Sequence, residues 1–263
     1  MKPSKLYEAL HALIGERVPL HIWGACVVGK SQIVSQVAND LDYDFLDVRG
    51  VQLDPVDLRG LPRIAENQTE WVPPKFLPAT GKDILFLDEL TSAPQMTQAG
   101  CCQLVLDRKL GEYVLPDGWI VIAAGNPASE RGVHFAMPRP LRNRFVHLDL
   151  EPDLDDWCRW AVKAQVRPEI IAFLRFKPDL LHTTDATVDT NTWPTPRSWE
   201  MAWSRADMIV ADPKGLPTQR GRLAQLVRAP ALQAGCRGFK SLTAHQRLVL
   251  YSSKKCDIPN KTQ

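Results

Sequence analysis

The stretch "GACVVGKS" has residue types and spacing that suit phosphate chemistry. Gly24, Gly29, Lys30 and Ser31 complete the pattern G-x-x-x-x-G-K-[ST]. In such a loop the backbone N–H groups and the positive end of the following helix face an anion. The Lys30 ammonium neutralises the β- and γ-phosphates of a nucleoside triphosphate, and the Ser31 hydroxyl holds Mg2+. Three further stretches hold groups of matching chemistry. "ILFLDEL" ends an apolar run on Asp88 and Glu89. One carboxylate there can bind Mg2+ through water, and the next can orient an attacking water. "VIAAGNP" sets Asn126 after another apolar run, where it can contact a γ-phosphate or that water. "PRPLRNRF" holds Arg142 and Arg144, either of which can reach a neighbouring subunit's nucleotide as an arginine finger.

Each of these has a plainer reading. An acidic pair after a strand can cap a helix, Asn-Pro can be an ordinary turn, and the arginines can be a solvated basic turn. The elements that must position the groups decide between them. "VPLHIWG" (18–24) is a short apolar run ending on Gly, as a buried strand does. From Lys30, apolar residues at 33, 34, 37, 38 and 41 predict a helix with one buried face. "YDFLDVRG" (43–50), "DILFLDEL" (83–90), "WIVIAAGNP" (119–127) and "RFVHLDL" (144–150) read as further strands. "VQLDPVDLRGLP" reads as a loop, "APQMTQAGCCQLVLDRKL" as a helix opening near Pro94, and "GEYVLPDGW" as a hairpin. Strands alternating with helices predict a wound parallel α/β sheet, whose ligands sit at the carboxyl ends of the strands. From about residue 152 the pattern turns helical, through "DLDDWCRWAVKAQ", "PEIIAFLRF" and "TPRSWEMAWSRADMIV".

The ordered blocks "GACVVGKSQIV", "DPVDLRGLP", "ILFLDEL", "QLVLDRKLGEYVLPDGW", "AAGNP", "MPRPLRNRF" and "TPRSWE" resemble the AAA+ ATPases, and within them the MoxR-like group, over roughly residues 5–210. The resemblance implies a P-loop NTPase core at 1–150 and a helical lid at 151–212. It implies ATP and Mg2+ as cofactors. It also implies a homo-oligomeric ring, usually a hexamer, that remodels a partner protein, often one with a von Willebrand factor A domain. By the match, Gly24, Ala25, Cys26, Val27, Val28, Gly29, Lys30, Ser31 and Gln32 hold the nucleotide. Ser31 and Asp88 serve the metal, and Glu89 activates water. Asn126 is the first sensor, Arg144 the arginine finger, and Arg197 the second sensor on the lid. "DPVDLRGLP" and the hairpin near Tyr113 correspond to insertions that face the pore or partner in such rings.

Two departures stand out. Loops of this family read like GPPGVGKS, and here Ala25-Cys26-Val27 replaces Pro-Pro-Gly. A β-branched residue at positive φ costs about 1–3 kcal/mol. A nucleotide site weakened by about tenfold to a hundredfold is expected, with Val27→Gly tightening ATP binding. The second departure is the C-terminal stretch. Residues 213–263 hold ten Lys/Arg and one acid, Asp257, which leaves 22 basic and 29 acidic residues in 1–212. Within that stretch "AQLVRA" and "GFKSL" resemble translated D- and T-arms of a transfer RNA gene. The lid is accordingly expected to be truncated soon after Asp212, with a non-native, poorly ordered tail beyond it. A basic nucleic-acid-binding arm is the alternative.

The remaining composition sets bounds. At 44% hydrophobic and 24% charged residues the chain reads as a globular protein, and no apolar run nears a bilayer span. Six scattered cysteines without a CxxC pair argue against a disulfide framework or zinc site and for the cytoplasm. Cys101-Cys102, His21 and the tryptophans, including Trp157, Trp160, Trp193, Trp199 and Trp203, read as packing residues. The functional expectation is an ATP-hydrolysing subunit. A non-hydrolysing nucleotide-binding scaffold or truncated inactive remnant is the alternative, and a nucleic-acid motor rests on the tail alone.

Overall fold

The structure is a computed structural model, and it describes residues 1–65, 68–130, 133–183 and 193–201. Within them the chain runs α1 (Pro3–Ile14), β1 (Leu20–Gly24), α2 (Lys30–Asp40), β2 (Phe45–Arg49) and α3 (Pro55–Arg59). Then follow β3 (Leu61–Ala65), β4 (Gln68–Val72), β5 (Ile84–Asp88), α4 (Gln95–Asp107), β6 (Lys109–Leu110) and β7 (Tyr113–Val114). The last elements are β8 (Ile120–Gly125), α5 (Arg139–Arg142), β9 (Val146–Leu150), α6 (Leu154–Lys163) and α7 (Pro168–Phe176), with a further helical stretch at 196–201.

Five strands form one parallel sheet in the order β2-β5-β8-β1-β9. The expected α/β architecture is therefore present. Period-two alternation sends successive apolar residues to opposite faces. Leu85, Leu87, Val121 and Ala123 join Leu104 and Cys101 of α4 in one core. Ile84, Phe86, Ile120 and Ile122 join Leu6 and Leu10 of α1 and Val34 and Val37 of α2 in the other. Both faces of β5 and β8 are covered, which is why those strands read as unbroken apolar runs. The α2 spacing holds as predicted: Val34, Val37 and Ala38 are buried, and Ile33 and Leu41 are partly so.

After β9, α6 and α7 pack around Trp157, Cys158, Ala161 and Leu174, with Trp199 against them. The Trp199 indole donates to the Leu180 carbonyl at 2.8 Å. Asp153 caps α6 by accepting from the Asp156 N–H at 3.0 Å. The chain's first residues tie this unit to the sheet. Lys2 pairs with Asp153 at 2.8 Å, and the Ser4 N–H donates to Asp156 at 2.7 Å.

Two expectations need correction. The predicted loop "VQLDPVDLRGLP" contains α3, whose ends satisfy each other: Asp54 caps the helix, and the Asp57 carboxylate accepts from the Asp54 N–H at 3.0 Å. It then enters an antiparallel ribbon, β3 with β4, that the alternation did not reveal because most of its residues are exposed on both faces. The ribbon is held by Arg59 stacked 4.0 Å over Trp71 and by the Arg63–Glu70 pair at 2.8 Å. The predicted hairpin at 111–119 sits earlier, as β6 and β7 joined across Gly111-Glu112. Gly111 has φ 59, which suits a tight turn.

Among the described residues no helix is long and apolar enough to cross a membrane. Arg131, Gly132, Trp203 and the stretch 202–263, with the proposed tail and lid end, lie outside the described residues.

Candidate functional site

Strand register brings the predicted groups to one edge. Trp23 pairs with Gly125, Leu87 with Ala123, and Arg49 with Asp88, so Gly24, Asp88 and Asn126 follow one another along the carboxyl ends of β1, β5 and β8. The loop from Ala25 to Gly29 crosses this edge and enters α2 at Lys30. Gly29 has φ 96, a conformation that favours glycine. Val27 has φ 66. The β-branched residue does adopt the left-handed backbone that its position in the loop led one to expect, at a cost of about 1–3 kcal/mol.

Lys30 is the centre of the arrangement. Its side chain is largely buried, and Nζ donates to the carbonyls of Gly24 at 2.7 Å and Ala25 at 2.9 Å and to Asn126 Oδ1 at 2.8 Å. Burial lowers its pKa, while the charges of Asp88, Glu130 and Glu89 oppose that shift. Both predicted acids therefore lie within electrostatic reach of the lysine. Asp88 Oδ1 accepts from the Glu89 N–H at 2.9 Å. Glu89 is exposed and has φ 54, a second non-glycine residue in the left-handed region at this edge. Backbone strain of this kind persists where the surrounding structure over-determines it, commonly at functional sites. Asp47 of β2 lies beside this pair; burial first, then the Asp88 charge, raises its carboxyl pKa.

Asn126 is fixed from three sides. Its Nδ2 donates to Cys26 Sγ at 2.9 Å and its Oδ1 accepts from Lys30. Its backbone N–H donates to Thr91 Oγ1 at 3.2 Å, and the Thr91 hydroxyl returns a bond to the Asn126 carbonyl at 3.3 Å. Thr91 is fully buried against Gly125, where an added Cβ would lie 2.6 Å from Thr91 Cγ2. His21, also fully buried, packs on the other side of the same glycine. Burial drives its pKa down to about 3, with His147 and Lys30 adding smaller contributions.

Glu130 adds a group that the motifs did not single out. The Cys26 N–H donates to both of its carboxylate oxygens, at 2.9 and 3.1 Å. An internal carboxylate thus stands in for an anion on the loop, and the loop's donors fit a phosphate. Burial, then Glu130, pushes the Cys26 thiol up to about 11, so it is not a nucleophile near neutral pH. His182, after α7, also feels Glu130 and the Cys26 backbone, and burial lowers its pKa.

The other predicted residues are less engaged. Ser31 and Gln32 open α2 on the loop's far side. Arg142 ends α5, and Arg144 follows it, exposed. Arg197 is exposed in the helical stretch at 196–201. Among the described residues neither Arg144 nor Arg197 contacts the loop through its side chain. Thr91, Glu130 and His182 were missed, whereas His21 is the buried packing residue that the sequence led one to expect. Thr91 lies two residues beyond Glu89 and Glu130 four beyond Asn126, but no spacing rule marks such neighbours.

One family model matches the chain over residues 20–145, that of the AAA domain (dynein-related subfamily). Over that segment the chain is similar to this domain family. The matched segment runs from β1 to the residue before β9, so it contains the loop, the acidic pair and Asn126. Among solved structures the chain resembles NtrX from Brucella abortus in complex with ADP, at TM-score 0.56 and 16% identity over 94% of this chain. It resembles the same protein in complex with ATP at TM-score 0.55 and 15% identity. The chain spans 57% of the NtrX chain in each, and likeness at this identity speaks for the AAA fold alone. No curated protein matches the sequence.

Proposed function

We propose that this chain binds ATP with Mg2+ and hydrolyses it as a MoxR-like AAA+ subunit that remodels or activates a partner protein within a homo-oligomeric ring. The observation that carries the proposal is the meeting of Lys30 with Asn126 at 2.8 Å, with Asp88 and Glu89 in electrostatic reach. A cation for the phosphates, a carboxylate for the metal and a carboxylate for the water are what phosphoryl transfer to water asks of a protein. In this reading residues Gly24 to Gln32 cradle the phosphates, and Ser31 and Asp88 hold the metal. Glu89 orients the water, and Asn126 senses the γ-phosphate. Arg144 acts on a neighbouring subunit's nucleotide, and Arg197 acts from the lid. NtrX has been seen with both ADP and ATP, which accords with such a ligand. The subunit acts in the cytoplasm, and a von Willebrand factor A protein is the client class. Residues 151–212 form its lid and 213–263 a non-native tail; a DNA sequence over codons 222–246 that cannot fold as a cloverleaf rejects that last part.

The experiment is an ATPase assay on the full chain with Mg2+. Turnover that falls by about a hundredfold or more in Glu89→Gln while ATP binding persists supports the reading. Binding without turnover in the unaltered protein favours a non-hydrolysing scaffold, a second reading that Glu130 on the loop encourages. An absence of nucleotide binding rejects both.

A further inference from the structure

The carboxylate of Glu130 is held by design of the loop's surroundings, not left there as a stray surface charge. It is half-buried, accepts twice from the Cys26 N–H, and lies in the fields of Lys30, Cys26 and His182. Cys26 sits on the flank of the loop that faces Asn126, whose Nδ2 holds its sulfur at 2.9 Å. On the nucleotide reading given above, the β-phosphate lies over the amides that open α2 at Lys30. The outermost phosphate then extends toward Asn126 and the acidic pair. The flank occupied by Glu130 is therefore the side of the terminal phosphate.

We propose that Glu130 is a specificity-determining residue of the nucleotide site: its carboxylate occupies the place beside Cys26 that a third phosphate needs, so ATP must displace it and ADP need not. Two anions cannot share one N–H in a partly desolvated site, because like charges at hydrogen-bond separation repel strongly there. A diphosphate leaves the Cys26 flank to Glu130 and keeps the loop's N–H partnered. A triphosphate gains that N–H only by expelling the carboxylate. The unaltered chain is thus biased toward the diphosphate state, and the proposal depends on the nucleotide reading.

A plain structural brace would behave differently. If Glu130 served only to give the Cys26 N–H a partner, a neutral side chain with the same acceptor oxygen would serve as well for both nucleotides. Glu130→Gln is that side chain. The test measures dissociation constants for ADP and for a non-hydrolysable ATP analogue, each with Mg2+, on the full chain and on E130Q. Expected is an analogue affinity about tenfold tighter in E130Q, with ADP changed by less than about twofold. Equal changes for the two nucleotides, or weaker analogue binding, overturn the assignment while leaving the nucleotide site standing. Should the unaltered protein bind neither nucleotide, the parent reading falls and this one with it. Should E130Q fail to fold, E130D retains the charge but is one methylene shorter and cannot reach the N–H with both oxygens. It is expected to shift the ratio in the same direction by a smaller factor, and an unchanged ratio overturns the assignment.

Discussion

The ammonium of Lys30 meets Oδ1 of Asn126 at 2.8 Å although 96 residues separate them. The contact crosses from the start of α2 to the end of the central strand β8, and the same Asn126 side chain reaches Cys26 in the loop. One amide therefore links the lysine, the loop and the sheet edge.

Removing that amide should separate binding from turnover. In Asn126→Ala, Lys30 keeps its two loop carbonyls, and the cradle stays formed. Nucleotide affinity is expected to change by less than about threefold while kcat falls by about a hundredfold, the scale seen for one polar group aimed at a reacting oxygen. Steady-state ATPase rates set beside a nucleotide titration test this, and an affinity loss as large as the rate loss would contradict it.

Thr91 is expected to matter through Asn126. Thr91→Val keeps the shape of a fully buried side chain but strands the Asn126 N–H without its acceptor. An unmade bond of this kind costs about 1–3 kcal/mol. Chemical denaturation should report that loss with an unchanged m-value, and a stability equal to that of the parent would reject the bond's importance.

Val27 gives a prediction that the structure reshapes. Its φ of 66 belongs to the folded loop, so relief of the strain should appear in stability as well as in affinity. Relief of about 1–3 kcal/mol is partly offset by the roughly 0.5–1 kcal/mol that a glycine adds to the freedom of the unfolded chain. Val27→Gly should therefore raise stability by about 1 kcal/mol. ATP affinity should rise with it, and unchanged or poorer affinity rejects the link between this strain and binding. Thermal melts and titrations of the same preparation separate the two effects.

His21 supplies a pH signature. Its ordinary value is 6.5 and burial lowers it to about 3 in the folded chain. Above pH 6.5 the ring is neutral in both states and adds nothing. As pH falls below that value the unfolded chain takes up a proton that the folded ring refuses, so stability declines by about 1.4 kcal/mol per unit until the folded value is reached. Both ring nitrogens lack a partner among the described residues, so an apolar replacement forfeits no bond. His21→Leu should stay within about 1 kcal/mol of the parent at neutral pH and show a shallower decline between pH 6.5 and 4. Parallel slopes for the two proteins would exclude His21 as the source.

Much of this molecule was legible because its informative residues obey short-range rules. The apolar runs of β1, β5, β8 and β9 and the one-sided spacing of α2 each announce an element, and Gly29, Lys30, Asp88 and Asn126 sit at those elements' ends. The β3–β4 ribbon was not legible, since Leu61, Arg63 and Ile64 are exposed and show no inside face. Thr91 and Glu130 escaped for another reason. Their roles come from contacts across strands and loops, which no local spacing encodes. The Val27 backbone was foreseen from a steric rule, whereas the carboxylate seated on the Cys26 N–H was not.

The contrast between β8 and the ribbon has a consequence for how this sequence can drift. Every residue of Ile120–Gly125 is buried, and its closing glycine has no room for a side chain. Inheritable change there is confined to apolar swaps of near-equal volume. The described residues of β3 and β4 face water along most of their length and, Trp71 and the Arg63–Glu70 pair apart, tolerate wider change. In a saturation library under selection, the first should stay nearly monochrome and the second should scatter, so the ribbon is where lineages can diverge without disturbing the chemistry beneath.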